Sequence, residues 1–158
     1  GLALAQERDD VEVYLVDNSP DALAVASANL TGLGNHAVKV KVFESNWFDQ
    51  LPDALKDSFQ LIVSNPPYIA YGEALPPEVT NYEPHQALYA GERGTEHIES
   101  ILSSAPIWLS AGGIVILEMA PHQTDYVAEI AVDQGYSDVE ITDDLTGRKR
   151  IVSCICSD

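Results

Sequence analysis

Val11-Glu12-Val13-Tyr14-Leu15-Val16-Asp17 runs without a break into Asn18-Ser19-Pro20. The first seven residues form a short, mostly apolar run suited to a strand, and the next three supply a capping residue followed by proline, which fits the first helical position because its missing N–H is not needed there. A helix is predicted from Pro20 to about residue 33. Leu23, Ala24, Ala26, Ala28 and Leu30 are small or unbranched, suited to close packing on a sheet, and Gly32 and Gly34 supply the stop. Working outward, residues 38–43 (VKVKVF) alternate strictly and read as a second strand with one wetter face, and residues 60–64 (QLIVS) as a third, central one.

Residues 65–94 are predicted to be a long irregular stretch holding Pro66, Pro67, Pro76, Pro77 and Pro84, the kind of loop that in compact domains carries function. Thr95 is placed to cap a helix reaching towards Leu109, which Pro106 should kink or end early. Gly112-Gly113 turns into a buried strand over residues 114–119 (IVILEM). A helix over 122–134 then stops at Gly135, and residues 138–142 and 150–156 close the chain as two strands joined through Leu145-Thr146-Gly147. Strands alternating with helices predict one α/β domain built on an open, mostly parallel sheet with an antiparallel closing pair. Ligands of such sheets bind beyond the carboxyl ends of the strands, so Asp17, the 43–47 segment and Asn65 are expected to face one crevice.

Composition narrows the function classes. The chain has 158 residues, 46% hydrophobic and 21% charged, with a net charge of −17, so a globular domain is expected and a phosphate backbone would be repelled. No run approaches the roughly 20 apolar residues of a membrane span. With no leader signalled at the N-terminus, a cytoplasmic location is the expectation, without membrane or stable nucleic-acid partners. His36, His85, His97 and His122 share no metal-like spacing, so no metal site is predicted. Cys154 and Cys156 lie two apart in a strand, pointing to one face as buried reduced thiols. Arg148, Lys149 and Arg150 form the one dense basic run, too small to hold a duplex and better matched to local carboxylates. Trp108 reads as core, and Trp47, in a loop near the crevice, as the better stacking platform.

The chemistry concentrates in Ser64-Asn65-Pro66-Pro67-Tyr68. An asparagine oxygen and the Pro66 carbonyl are two acceptors able to hold both N–H bonds of a planar NH2 group. The two prolines keep those acceptors aimed, and Tyr68 offers a flat wall. An amide or exocyclic amine is a poor nucleophile, so such a site works by orienting the nitrogen at an electrophile and holding the charge that develops. Asp17 is placed either to accept a ribose diol or simply to shape the turn.

Asn-Pro-Pro-Tyr after a strand resembles the signature of S-adenosylmethionine-dependent amino-methyltransferases. Ser45-Asn46-Trp47-Phe48, Tyr82-Glu83-Pro84 with Ala87-Leu88, the Gly112-Gly113 turn into Leu117-Glu118, and the Asp144, Gly147, Arg150 pattern extend the likeness to the HemK/PrmC glutamine methyltransferases over nearly the whole chain. That resemblance implies a class I, Rossmann-like fold with helices on both sheet faces. It also implies a methyl transfer to the side-chain amide of the glutamine in the Gly-Gly-Gln motif of peptide chain release factors, giving S-adenosylhomocysteine. Asp17 would bind the cofactor ribose, Asn46 and Trp47 would border the adenine, and Asn65, Pro66, Pro67 and Tyr68 would hold the substrate amide beside the methyl group, with Asn65 touching the cofactor as well.

The family usually has aspartate at the Asn46 position, where the amide oxygen can still accept. The opening Gly1-Leu2-Ala3-Leu4-Ala5 resembles the helix after the family's first strand and Gly-rich loop, so an N-terminally truncated catalytic domain is expected, whose unpaired strand edges would invite self-association. Adenine-amino DNA methyltransferases and ribosomal-protein glutamine methyltransferases share the signature, the first disfavoured by charge. A non-catalytic protein-binding fragment is the reading from a different class. Glu83 and Glu118 fit structural and functional roles equally.

Overall fold

The computed structural model describes residues 1–157. They divide into two compact units, residues 1–53 and 54–157.

The first unit contains helix α1 (Leu2–Glu7), strand β1 (Val13–Asp17), helix α2 (Pro20–Leu30) and strand β2 (Val40–Glu44), with β1 and β2 paired in parallel from Val13 opposite Val40 to Asp17 opposite Glu44. Pro20 opens α2 as expected, and the Ser19 hydroxyl caps it by accepting from the Ala22 N–H at 3.3 Å. Leu23, Ala26 and Leu30 form the half-buried stripe, at helical spacing. Ala24 and Ala28 do not join them and are exposed. The helix also ends before residue 33. From Thr31 to Lys39 the chain tightens into 3-10 geometry, broken where Gly34 takes a φ of 55°, and β2 therefore starts two residues later than the alternation suggested. Lys39 holds this segment to the end of α1, donating to the Arg8 carbonyl at 2.9 Å and pairing with Asp9 at 2.9 Å.

The second unit is built on a four-stranded sheet. Its strands are β3 (Phe59–Ser64), β6 (Leu109–Glu118), β7 (Ser137–Asp143) and β8 (Lys149–Ile155), in the order β3-β6-β8-β7. β3 and β6 are parallel, with Ser64 opposite Leu117, and β8 runs antiparallel to both its neighbours. The α/β architecture and the antiparallel C-terminal strand are as expected. β3, expected to be central, is instead an edge strand of this sheet, and β8 inserts between β6 and β7. Neither was visible, because neighbour choice depends on which edge is free rather than on the apolar content of one strand.

Helices α5 (Glu96–Ser104) and α6 (Thr124–Asp133) pack together over one face of this sheet. Ile98, Ile101 and Leu102 of α5 and Val127 and Ala131 of α6 are buried with Val115, Leu117, Val152 and Cys154 of the strands. Burying a side chain of this size contributes about 1.5–3 kcal/mol. Leu61, Val63 and Ile114 are exposed. The buried Tyr136 hydroxyl donates to the Leu102 carbonyl at 2.7 Å, satisfying an acceptor at the end of α5, and burial raises its pKa.

Other boundaries moved for local reasons. α5 stops at Ser104 because Pro106 lies in the 3-10 turn Ala105–Ile107, as its chemistry requires. Thr95 precedes α5 but does not cap it: its hydroxyl donates to Glu99 at 2.6 Å instead. The helix expected from residue 122 begins as a 3-10 turn, Pro121–Gln123, before α6 proper, and Gly135 follows its end at a φ of 90°. The 65–94 stretch is not wholly irregular. It holds the short parallel pair β4 (Ile69–Ala70) and β5 (Tyr89–Gly91) and two single-turn helices, α3 (Pro77–Thr80) and α4 (His85–Leu88), too brief to leave a periodic trace.

Cys154 is buried, and burial pushes its thiol up to about 11; Cys156 lies past the end of β8 and is only half-buried, so the two thiols do not share a fully buried face. Trp108 is core, as expected. No helix among the described residues is long and apolar enough to cross a membrane.

The β7–β8 turn is built on Asp144. Its carboxylate accepts from the Thr146 hydroxyl at 2.6 Å, from the N–H groups of Thr146 and Arg148, and from the Arg148 guanidinium at 3.0 Å. These donors, the Thr146 hydroxyl foremost, hold the carboxyl well below the usual carboxylate range. A carboxyl depressed in the folded state stabilises above its unfolded pKa of about 3.9, and the contribution is lost as pH falls through the folded value. Asp144→Asn is therefore expected to be less stable than the parent at pH 7. The gap in denaturant midpoint should narrow below about pH 4, and a gap unchanged with pH would remove the carboxylate from that role.

Candidate active site

Within the first unit, the carboxyl ends of β1 and β2 lie side by side. The Ser45 N–H donates to the Asp17 carbonyl at 3.0 Å, which carries the pairing one residue beyond β2. Asp17 is exposed at the end of β1, where one carboxylate oxygen accepts from the Ser19 N–H at 2.8 Å. The turn-shaping role and a ligand role thus coexist: among the described residues, the second oxygen has no hydrogen-bond partner.

The 45–50 loop is tightly wired. Gln50 N–H donates to the Ser45 hydroxyl at 3.0 Å, and the Gln50 side-chain oxygen accepts from the Asn46 N–H at 2.7 Å. Between them Trp47 is held at a φ of 51°, a left-handed conformation that a bulky residue adopts only when its surroundings impose it. Backbone strain of this kind clusters where a side chain must be aimed. Asn46 donates its side-chain N–H2 to Asp49 at 2.9 Å, so its amide oxygen is the part left to accept.

Within the second unit, Asn65, Pro66, Pro67 and Tyr68 leave the carboxyl end of β3, with Asn65 exposed and Pro66 buried. Neither the Asn65 side chain nor the Pro66 carbonyl has a hydrogen-bond partner among the described residues. Tyr68, by contrast, is held at both ends. Its hydroxyl accepts from Arg150 at 3.0 Å, and the same guanidinium lies 5.3 Å from the ring centroid and bonds Glu118 at 2.9 Å. Its carbonyl accepts from Gln123 at 2.9 Å. The segment therefore presents two open acceptors at one end of a fixed anchor.

The sequence leaves Glu118 open between structural and functional roles and matches the basic run to local carboxylates. The structure pairs Arg148 with Asp144, Lys149 with Asp125 and Arg150 with Glu118. What it missed is that Arg150 also reaches Tyr68, which lies 82 residues away in the chain. Gln123 and Gly94 were missed altogether: one was read as an ordinary helical residue and the other as the end of a loop, and neither carries a local signal. Glu83 is exposed beside α4.

A family model described as Methyltransferase small domain matches residues 1–81. A bifunctional methyltransferase of Rickettsia typhi is 38% identical over 153 residues, 96% of this chain and 29% of that protein. The release factor glutamine methyltransferase of Cereibacter sphaeroides is 40% identical over 154 residues, 96% of this chain and 54% of that protein. The chain thus spans about half the length of the second of these curated relatives and less of the first. In fold it is similar to the crystal structure of a methyltransferase from Pyrococcus furiosus, with a TM-score of 0.68 at 18% identity, covering 99% of this chain and 68% of that one.

Proposed function

The chain belongs to the methyltransferase small-domain family, and from that premise we propose that the protein transfers a methyl group from S-adenosylmethionine to the side-chain amide nitrogen of a glutamine in a protein, specifically that of the Gly-Gly-Gln motif of a peptide chain release factor. The observation that carries the proposal is the Asn65–Tyr68 segment, with two unpaired acceptors beyond the end of β3 and an aromatic ring pinned behind them.

The first unit fits the cofactor. Asp17 keeps one carboxylate oxygen for a ribose hydroxyl while the other stays in the turn. Asn46 keeps its amide oxygen for an adenine amino group, and the strained Trp47 is held beside it. When bound, S-adenosylmethionine supplies a methyl group on a sulfonium sulfur and is released as S-adenosylhomocysteine.

Everything else falls to the chain's own residues. The Asn65 oxygen and the Pro66 carbonyl accept the two N–H bonds of the glutamine amide, which fixes the plane of the nitrogen. As the nitrogen gives up its delocalised lone pair to the methyl carbon and the carbon–sulfur bond breaks, positive charge grows on its N–H bonds. Both acceptors then bind it more tightly than they bound the neutral amide, until the methylated nitrogen releases one of its two protons to water. The prolines hold the acceptors in place, so little reorganisation accompanies the reaction.

Asp17→Ala is expected to weaken S-adenosylmethionine binding about 10- to 100-fold, the worth of a charge-assisted hydrogen bond. Calorimetry on the purified protein checks this, and an unchanged dissociation constant removes Asp17 from the ribose role. The proposal as a whole is tested with the full-length protein, labelled S-adenosylmethionine, a release factor, the same factor with its Gly-Gly-Gln glutamine changed to alanine, and duplex DNA. Label on that glutamine alone is the expected result. Label on adenine amino groups of the DNA, or on neither, would assign the segment to another substrate.

A further inference from the structure

Gln123 is 4% exposed, and its side-chain amide spends its hydrogen-bonding capacity on the backbone. Its nitrogen donates to the Tyr68 carbonyl at 2.9 Å and to the Gly94 carbonyl at 3.1 Å, and its oxygen accepts from the Ala120 N–H at 3.1 Å. Three segments therefore meet on one side chain: the end of the Asn-Pro-Pro-Tyr segment, the β5–α5 loop and the β6–α6 turn. A primary amide is the group that offers two donors and an acceptor in one plane. Gly94 closes the contact from the other side, since a Cβ there would stand 2.6 Å from the Tyr68 carbonyl oxygen and 2.9 Å from the Gln123 nitrogen.

We propose that Gln123 is a positioning residue for methyl transfer, pinning the Tyr68 peptide so that the Asn65 oxygen and Pro66 carbonyl stay aimed at the substrate amide. The mechanism lies in the torsions between pin and acceptors. The rings of Pro66 and Pro67 fix their φ angles, which leaves few soft rotations between the Asn65 Cα and the Tyr68 carbonyl. Fixing the far end of so stiff a segment therefore restricts the near end. Arg150 holds the Tyr68 hydroxyl, at the tip of the side chain, and cannot do this for the backbone.

The inference rests on the reading of residues 65–68 as the amide site, and its test separates the two. Gln123→Met keeps the volume and removes every hydrogen bond; Gln123→Glu keeps the acceptor and, when ionised, removes both donors. Both are made in the full-length protein. The Tyr71 N–H, which donates to Gly91 at 2.7 Å three residues past the pin, is the reporter for hydrogen exchange, with the Val115 and Val152 amides as core controls.

In both variants the expected result is Tyr71 exchange at least about tenfold faster with the core controls unchanged, and a kcat at least about tenfold lower with the KM for S-adenosylmethionine within about threefold. A merely structural role would move the core amides and the methyl-donor affinity together with kcat. The proposal is overturned by unchanged Tyr71 exchange, by a kcat within about threefold of the parent, or by methyl-donor affinity falling as far as kcat. An unsubstituted protein that methylates no glutamine overturns the functional reading instead, and Tyr71 exchange then decides the pin alone.

Discussion

Asn65→Ala is expected to lower kcat for methyl transfer about 100- to 1,000-fold, the range seen when one preorganised hydrogen-bonding group aimed at developing charge is removed, equivalent to about 2.7–4 kcal/mol. The dissociation constant of S-adenosylmethionine should move by no more than about threefold. The asymmetry follows from where the residue sits and what it touches. Asn65 is exposed beyond β3 and has no hydrogen-bond partner among the described residues, so its removal strands no buried group and leaves the fold intact. What disappears is an acceptor that matters most when the amide nitrogen acquires charge. Single-turnover rates and calorimetric affinities, measured on the same preparation, provide the check. Equal loss of transfer and of methyl-donor binding would move Asn65 out of the substrate role and into the cofactor site.

Gly94→Ala should damage stability and catalysis together. Gly94 has a φ of 78°, in the left-handed region where a Cβ is strained, and the added carbon would meet the Tyr68 carbonyl oxygen at 2.6 Å. The backbone strain costs about 1–2 kcal/mol and the overpacking about 1–3 kcal/mol, since the neighbour is main chain and cannot rotate away. A fall in melting temperature of about 5–15 °C is expected for a chain of this size. Relief of the clash must push the Tyr68 peptide off Gln123, so kcat should fall beyond what the folded fraction explains. A variant with parental melting temperature and kcat would show that the 92–96 loop shifts freely, and would remove Gly94 from the contact.

Much of the site was legible because its signals are local. Asp17 at the end of β1 follows from an apolar run meeting a cap and a proline, and Asn65 at the end of β3 from an apolar run meeting two prolines. The β7–β8 hairpin was readable from Thr146-Gly147, and Gly147 indeed turns at a φ of 78°. The errors share one cause. Residues 31–33 tighten from the expected α-helix into a 3-10 turn, residues 38 and 39 leave the expected strand, and 65–94 gains strands and turns, over stretches where two or three residues cannot display a period.

By itself, then, the sequence determined the α/β class, the strand ends and the residue types that could hold a ribose and an amide, since these depend on hydrophobic period, caps and the fixed φ of proline over a few neighbouring positions. Tertiary structure alone decided that β8 lies between β6 and β7, and that Arg150 and Gln123 meet Tyr68 from 82 and 55 residues away. Such contacts arise where strand order and a buried polar group's need for partners bring distant segments together. Neither constraint leaves a pattern in the residues around it.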